Sequence, residues 1–285
     1  MKGVILAAGY GSRFLPGTKT IPKEMFPLID TPAVDLIVRE MVDSGIRDIL
    51  IVTSRRKKSL EDYFDREVEL EQAYEKDRKK QEVISPPPVN IFFLRQQKMA
   101  GTGDALLLVR PFVGDSPFVV AYPDDIQIEG PPLAGQLMAS YQQTGKTTLA
   151  VQEIAVGDIS RYGVIDPAPD GEPGQIRGMV EKPATGKEPS RMVGFGRYLY
   201  TPEIFPALEN TRKGFPKTGE FTQTEAINIL AADGKVIAKN FEGRLLDVGT
   251  PQGYLEAVVE YGLSREEFRG KLMDFLKTVV KREKG

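Results

Sequence analysis

The chain has 285 residues, 41% hydrophobic and 27% charged, with a formal net charge of −2. Its length suits one α/β domain with insertions, and its near balance of charge gives no bulk attraction to nucleic acid or an anionic membrane. No apolar run approaches the roughly 20 residues that span a bilayer. Cysteine and histidine are both absent, which removes disulfides, Cys-type zinc sites and the Ser-His-Asp and Cys-His nucleophile systems. Carboxylates, Lys, Arg and a hard metal ion remain as reactive groups. The opening Met1-Lys-Gly-Val-Ile-Leu-Ala-Ala-Gly9 runs a short apolar stretch into a glycine loop, unlike a signal-peptide h-region, so a cytoplasmic location is expected.

Val4 to Leu6 read as a short buried strand, followed by a loop from Ala7 to Thr20. Val34, Ile37, Val38 and Met41 then recur at helical spacing between Pro32 and Ser44, and Asp48 to Thr53 form the next strand. This order predicts parallel pairing through a right-handed crossover. Arg55 to Glu82 mix acidic and basic residues around Leu60, Tyr63, Phe64, Val68, Leu70 and Tyr74. The mixture predicts a solvated helical excursion held by one apolar stripe, not a nucleic-acid arm. Ser85-Pro-Pro-Pro88 ends it as a stiff connector. Asn90 to Leu94 and Pro117 to Ala121 read as strands around a helix from Gly103 to Val109, which completes a doubly wound first half.

The second half alternates β-like runs (Thr148 to Gln152, Arg177 to Val180, Val193 to Tyr200) with helical ones (Glu203 to Leu208, Thr224 to Ala231, Gln252 to Tyr261). Loops such as Pro167 to Gly174 separate them. Arg265 to Lys284 predict a helix with Phe268, Leu272, Phe275, Leu276 and Val279 on one side, either a packing helix or a subunit contact. No repeat or long linker interrupts the chain, so one α/β unit is expected over residues 1–285. Its sheet would be Rossmann-like, mixed and mainly parallel, flanked by helices.

The string Leu6-Ala-Ala-Gly-Tyr-Gly-Ser-Arg-Phe-Leu-Pro16 follows a strand, and its small residues let backbone N–H groups approach a phosphate or a flat base. It is neither the dinucleotide G-x-G-x-x-G nor a P-loop, and taken alone a tight turn explains it equally well. Arg13 and Lys23 add two cations beside the strand end where open α/β sheets bind ligands.

Gly9-x-Gly-x-Arg-x-Leu-Pro16 followed by Thr18-Lys-x-Ile-Pro-Lys-Glu-Met25 resembles the signature loop of bacterial UTP–glucose-1-phosphate uridylyltransferases, within the sugar-1-phosphate nucleotidyltransferase superfamily. The resemblance continues through Ile51-Val-Thr53, Glu61-Asp-x-Phe-Asp65, Glu69-Leu-Glu71, Arg95-Gln96, Gly101-x-Gly103, Tyr162-Gly-Val-Ile-Asp166, Val180-Glu-Lys-Pro183, Gly196-Arg-Tyr198 and Asp247-x-Gly249, nearly the whole chain. It implies the nucleotide-diphospho-sugar transferase fold, with a nucleotide half over about 1–130 and a sugar half over about 131–285. It also implies transfer from UTP to glucose 1-phosphate, Mg²⁺ as cofactor, and a homo-oligomer with no nucleic-acid or membrane partner.

By the same resemblance Arg13 lies along the leaving pyrophosphate and Lys23 approaches the α-phosphate. Ala7, Ala8, Gly9, Gly11, Gln96 and Gly101 bind the nucleotide, with Gln96 reading the pyrimidine edge. Glu181 takes glucose hydroxyls, Lys182 the sugar phosphate, and Gly163 lines the sugar pocket. Asp124 and Asp247 are the implied metal ligands, with Asp125 a less certain neighbour. Chemistry asks for similar groups, since in-line transfer crowds phosphate charge and Mg²⁺ prefers a few carboxylate oxygens plus water.

The chain also departs from the uridylyl pattern. Asp104 stands where those relatives usually carry a His, Gly219-Glu-Phe-Thr-Gln-Thr-Glu225 replaces a Gly-Glu-Ile-Gln-Leu-Thr-Asp string, and Asp247-Val-Gly-Thr-Pro251 is closer to thymidylyl relatives. dTTP therefore stays open as the nucleotide, as does a non-catalytic nucleotide-sugar-binding subunit of the same fold. A dehydrogenase lacks its fingerprint here.

Overall fold

The computed structural model describes residues 1–154, 156–216 and 219–284. In chain order its strands are β1 (Lys2–Leu6), β2 (Pro27–Leu28), β3 (Thr31–Pro32), β4 (Asp48–Thr53), β5 (Asn90–Arg95), β6 (Phe118–Ala121), β7 (Asp125–Ile128), β8 (Thr147–Glu153), β9 (Gly163–Pro167), β10 (Ile176–Glu181), β11 (Met192–Tyr200), β12 (Val236–Asn240) and β13 (Arg244–Asp247). The α-helices are α1 (Ala33–Asp43), α2 (Lys58–Tyr63), α3 (Val68–Ala73), α4 (Arg78–Ile84), α5 (Thr102–Val113), α6 (Leu133–Thr144), α7 (Ile204–Gly214), α8 (Thr224–Ala232), α9 (Pro251–Ser264) and α10 (Glu266–Glu283).

The first half forms the parallel run β5-β4-β1-β6, as the strand–helix alternation predicts. The second half joins it antiparallel, β11 pairing with β6, and β9, β10 and β8 extend the sheet from β11. β12 lies parallel to β8. Alternate residues of each central strand serve opposite faces. Ile5, Ile49, Ile51, Val119 and Ala121 share one buried cluster with Val34, Ile37 and Val38 of α1 and Leu137 of α6. Val4, Leu50, Val52, Phe118 and Val120 share the other with Leu106 of α5, Phe205 of α7 and Ile227 of α8. The result is a helix–sheet–helix sandwich whose two cores each draw on both halves of the chain. No helix among the described residues is long and apolar enough to cross a membrane.

Three expectations change. The excursion after β4 is three short helices, and its stripe is buried only at Leu60 and Phe64. Val68 and Leu70 are exposed because α3 packs chiefly on α4 and not on the sheet. The helix expected to stop at Val109 runs to Val113 and carries Pro111 within it. β7, β9, β12 and α6 are not anticipated as elements; the three strands have four or five residues, too short for a clear period. α10 has no buried residue, lies on α9 where Gly262 meets Leu272, and leaves Phe275 exposed.

A buried ion pair clamps the layers together. Arg197 of β11 is fully buried and donates to both Glu40 oxygens, with Nη2 at 2.9 Å from Oε2, while its Nη1 donates to the carbonyls of Tyr122 and Gly196. Glu40 of α1 also accepts from the Ala134 amide of α6 at 3.0 Å. Removing one partner strands the other charge in a dry core. Glu40→Ala is expected to cost about 3–5 kcal/mol, read as a lowered urea midpoint at unchanged slope.

Candidate active site

A cavity of about 790 Å³ opens where β1 and β6 part, the switch point at which the neighbours of β1 lead to opposite halves of the sheet. The glycine loop forms one wall. It leaves β1 with the Ala7 amide donating to Val52 O at 2.8 Å and turns at Gly11, whose φ of 67° is left-handed. Thr18 Oγ1 ties the turn by donating to Gly11 O at 2.7 Å. The short 3₁₀ turn Ser12–Phe14 then presents Arg13 to the cavity, with Nη1 3.4 Å from Gly249 O.

Beneath the loop lies a second buried pair that sequence reasoning missed. Lys57 Nζ donates to both Glu24 oxygens at 2.7 Å and to Ala7 O at 2.5 Å, and both side chains are almost wholly enclosed. Burial pulls the Lys57 amine below its ordinary value even against the neighbouring carboxylate. The pair ties the end of β1 to the turn Lys23–Met25 and so aims Lys23 at the cavity floor. The only hint in the sequence was Glu24 beside Lys23 in the motif string.

Three carboxylates meet on that floor. Asp124 follows β6, Asp125 opens β7, and Asp247 ends β13; β7 and β13 form an antiparallel ribbon that places Asp125 opposite Asp247. This ribbon brings residues from the two halves together. Lys23 Nζ is 2.5 Å from Asp124 Oδ2. Burial works against both charges, but each partner outweighs it, so the Asp124 carboxyl is held below and the Lys23 amine above its ordinary value. Asp125 has no such cation and accepts from the Gly196 amide at 2.7 Å. Burial, then repulsion from Asp124 and Asp247, pushes it up from 3.8 to about 7. Asp247 accepts from the Gly249 amide at 2.8 Å, Arg161 at 3.0 Å and Tyr162 at 3.3 Å.

The carboxylate oxygens of this floor are the donor type that a hard divalent ion takes. A Cβ on Gly249 would lie 3.0 Å from Asp124 Oδ2 and 3.0 Å from Asp247 Oδ1, so these two oxygens flank the glycine gap and are no more than 6.0 Å apart. Among the described residues no group of three or more His, Cys, Asp or Glu side chains stands placed to hold a metal ion by itself.

At the far end of the cavity Gln96 follows β5, 5% exposed, and its Nε2 donates to Gly101 O at 3.2 Å and Asp104 Oδ2 at 3.1 Å. Gly101 has a φ of 107°, and a Cβ there would lie 2.3 Å from Phe221 O. Only glycine can stand there, because the Gly219–Glu225 string clasps this loop through Phe221 N to Ala100 O at 2.8 Å and Gly103 N to Phe221 O at 2.9 Å. Across the cavity Glu181 ends β10 opposite Gly163, and Lys182 turns out at φ 45° with Nζ 3.5 Å from Glu181 Oε1. Between the two ends Gln223 donates to Tyr122 OH at 2.6 Å and accepts from Thr102 Oγ1, a buried network that single residues did not foretell.

Of the residues singled out in the sequence, Ala8, Gly9, Arg13, Gln96, Gly101, Asp124, Gly163, Glu181, Lys182 and Asp247 line this one cavity. Lys23 reaches it through Asp124. Ala7 and Gly11 lie outside its lining and shape the loop from behind.

A glycine loop at a sheet switch point, facing paired carboxylates with Arg13, Lys23 and Lys182 about them, is the arrangement of a nucleotide-binding nucleotidyltransferase. The chain belongs to the nucleotidyl transferase family, which it matches over residues 2–262. It is 41% identical over 281 residues to the UTP–glucose-1-phosphate uridylyltransferase of Staphylococcus epidermidis strain RP62A, covering 97% of each chain. It superposes on a crystal structure of UDP-glucose pyrophosphorylase complexed with UDP-glucose with a TM-score of 0.81 at 38% identity, over 93% of this chain and 99% of that one. A UTP-bound enzyme of the same kind from Acinetobacter baumannii gives 0.84 at 34%, over 98% of both chains.

The raised Asp125 carboxyl has a consequence in metal-free protein. Its proton is kept in the folded state and lost in the unfolded one, so the stability it contributes is full below about pH 4 and disappears as pH rises through 7. Asp125→Asn is expected to gain stability on the parent progressively across that window, measured by urea unfolding in EDTA at intervals from pH 4.5 to 8.

Proposed function

We propose that the chain transfers the uridylyl group of UTP to glucose 1-phosphate, giving UDP-glucose and pyrophosphate. The observation that carries this reading is the convergence, in one cavity, of a tight glycine-walled pocket at Gln96 and Gly101 with the Glu181–Lys182 pair, across a floor of Asp124 and Asp247. Near 40% identity to uridylyltransferases along almost the whole chain supports the nucleotide and sugar chosen.

In this reading an oxygen of the glucose 1-phosphate attacks the α-phosphorus of UTP; the new P–O bond forms as the bond to the β-phosphate bridging oxygen breaks, and pyrophosphate leaves with its charge. Arg13 lies along the leaving pyrophosphate. Lys23 meets the α-phosphate, exchanging part of its contact with Asp124 for the non-bridging oxygens where charge builds. Lys182 holds the sugar phosphate as a point charge and Glu181 accepts from glucose hydroxyls. Ala8 and Gly9 let the loop backbone close on the nucleotide, with Ala7 and Gly11 setting its path, and Gly163 leaves room for the sugar. A divalent metal is general to this family. We assign Mg²⁺, held by Asp124 and Asp247, to neutralise crowded phosphate oxygens when bound. The chain acts as one unit, its first 130 or so residues serving the nucleotide and the rest the sugar. The exposed apolar side of α10 is assigned to a homo-oligomer contact, and the cytoplasm is taken as its location.

Pyrophosphate release with glucose 1-phosphate and Mg²⁺, run in parallel with UTP, dTTP, CTP, ATP and GTP, tests the reading. UTP is expected to exceed the others; preference for dTTP would change the nucleotide, and no release with any would favour a binding subunit. Asp124→Ala and Asp247→Ala are each expected to lower kcat by about 100-fold or more with the fold intact by circular dichroism. Lys182→Ala is expected to raise KM for glucose 1-phosphate about tenfold or more, the cost of a charged hydrogen bond, and to leave KM for UTP unchanged.

A further inference from the structure

We propose that Asp104, held by Arg212, decides which pyrimidine the site accepts by fixing the rotation of the Gln96 side-chain amide. The proposal rests on the uridylyl reading above and concerns a residue to which that reading gives no role.

The amide of Gln96 meets two acceptors with one atom. Gly101 O at 3.2 Å and Asp104 Oδ2 at 3.1 Å are a carbonyl and a carboxylate oxygen, and neither can meet another oxygen favourably. The nitrogen must therefore face them, and Oε1 is turned away. Among the described residues Oε1 accepts no hydrogen bond, and Gln96 lines the cavity, so that oxygen is left for a ligand.

Asp104 would ordinarily be explained as an acidic residue in the first turn of α5, favourable to the helix dipole. That role needs no partner, yet both its oxygens are committed away from the helix. Oδ2 takes the Gln96 amide, and Oδ1 accepts from Arg212 Nη1 of α7 at 2.6 Å. Among the described residues no backbone amide of the helix start donates to Asp104, so it is not spent on capping. Its side chain is only 13% exposed, and Arg212 closes over it from solvent.

An outward oxygen reads hydrogen, not lone pairs. Uracil and thymine carry an N–H at the imide position of the pairing edge, whereas cytosine carries a lone pair there. With the amide fixed, cytosine sets acceptor against acceptor in a buried site, an arrangement that discriminates strongly. Without Asp104, only the Gly101 carbonyl opposes rotation of the amide, which can then turn its N–H to cytosine. Because uracil and thymine are alike at the imide, Asp104 separates UTP from CTP and leaves UTP against dTTP untouched.

The test measures dissociation constants of UTP, dTTP and CTP with Mg²⁺ by calorimetry, for the wild type and for Asp104→Leu, Asp104→Asn and Arg212→Ala, each also in a Gln96→Leu background. Asp104→Leu is expected to reduce the UTP:CTP preference by about tenfold or more, the loss of one buried hydrogen-bond match, with UTP:dTTP constant. Asp104→Asn, which keeps an oxygen toward Gln96, is expected to retain most of the preference, and Arg212→Ala to lose an intermediate part. In the Gln96→Leu background the Asp104 changes are expected to move the UTP:CTP ratio no further. Parallel weakening of all three nucleotides, or a shift in UTP:CTP that persists without Gln96, would make Asp104 structural and overturn the proposal. Wild-type protein that neither binds UTP over CTP nor releases pyrophosphate would fail the uridylyl reading itself, whereas UTP-selective wild type with an equally selective Asp104→Leu variant fails this proposal alone.

Discussion

Crowding of negative charge at the end of β6 governs the rest of the site. Asp124, Asp125 and Asp247 stand together on the cavity floor, and burial makes the charges of Asp124 and Asp125 costlier there than in water. The chain responds differently at each. Asp124 is met by Lys23, Asp247 by Arg161, Tyr162 and a backbone amide, and Asp125 by an amide and a retained proton. A floor prepared in this way is partly neutral, Lys23 offsetting Asp124 and a retained proton offsetting Asp125.

Such a floor works only if Lys23 is held in place, and here the buried Lys57–Glu24 pair has its use. A buried ion pair is weak support for stability, since desolvation offsets most of its attraction. Its geometry is nonetheless specific: Lys57 touches the last carbonyl before the glycine loop and the carboxylate next to Lys23, so one ammonium fixes both ends of a loop some 15 residues long. The Arg197–Glu40 pair acts likewise next to Asp125, since Arg197 donates to the carbonyls of Tyr122 and Gly196, and Asp125 in turn bonds Tyr122 O and the Gly196 amide. In both cases charge is buried beside residues that line the cavity.

Much of the fold was legible because the central strands are apolar and the helices between them amphipathic. Asp48–Thr53 was read with its observed bounds, and the parallel first half followed from element order alone. The β7–β13 ribbon was not legible: Ile126 and Ile128, and Leu245 and Leu246, are too few to establish a period, and the pairing joins segments more than a hundred residues apart. Yet this ribbon converts Asp124 and Asp247 from two strand-end aspartates into one site. The cavity residues carried by the glycine loop and by Val180-Glu-Lys-Pro183 could be named because type and spacing restrict their chemistry. Lys57 and Gln223 could not, and Asp125 could be named only as a neighbour of Asp124, because a lysine, a glutamine or a second aspartate acquires its role from a partner that only the fold supplies.

In the function proposed above, the two ends of the cavity use different physics, and this explains why one is easier to read. The phosphate end works by charge, which is long-ranged and tolerant of small shifts, so that listing its cations and carboxylates nearly describes it. The base end works by hydrogen bonds whose value depends on which atom of an amide faces which way. Gln96 alone could accept or donate; only the acceptors at Gly101 and Asp104 remove the choice. If Gln96 reads the base as proposed, selectivity there belongs to the arrangement around it, and an otherwise ordinary acidic residue in the first turn of a helix sets it.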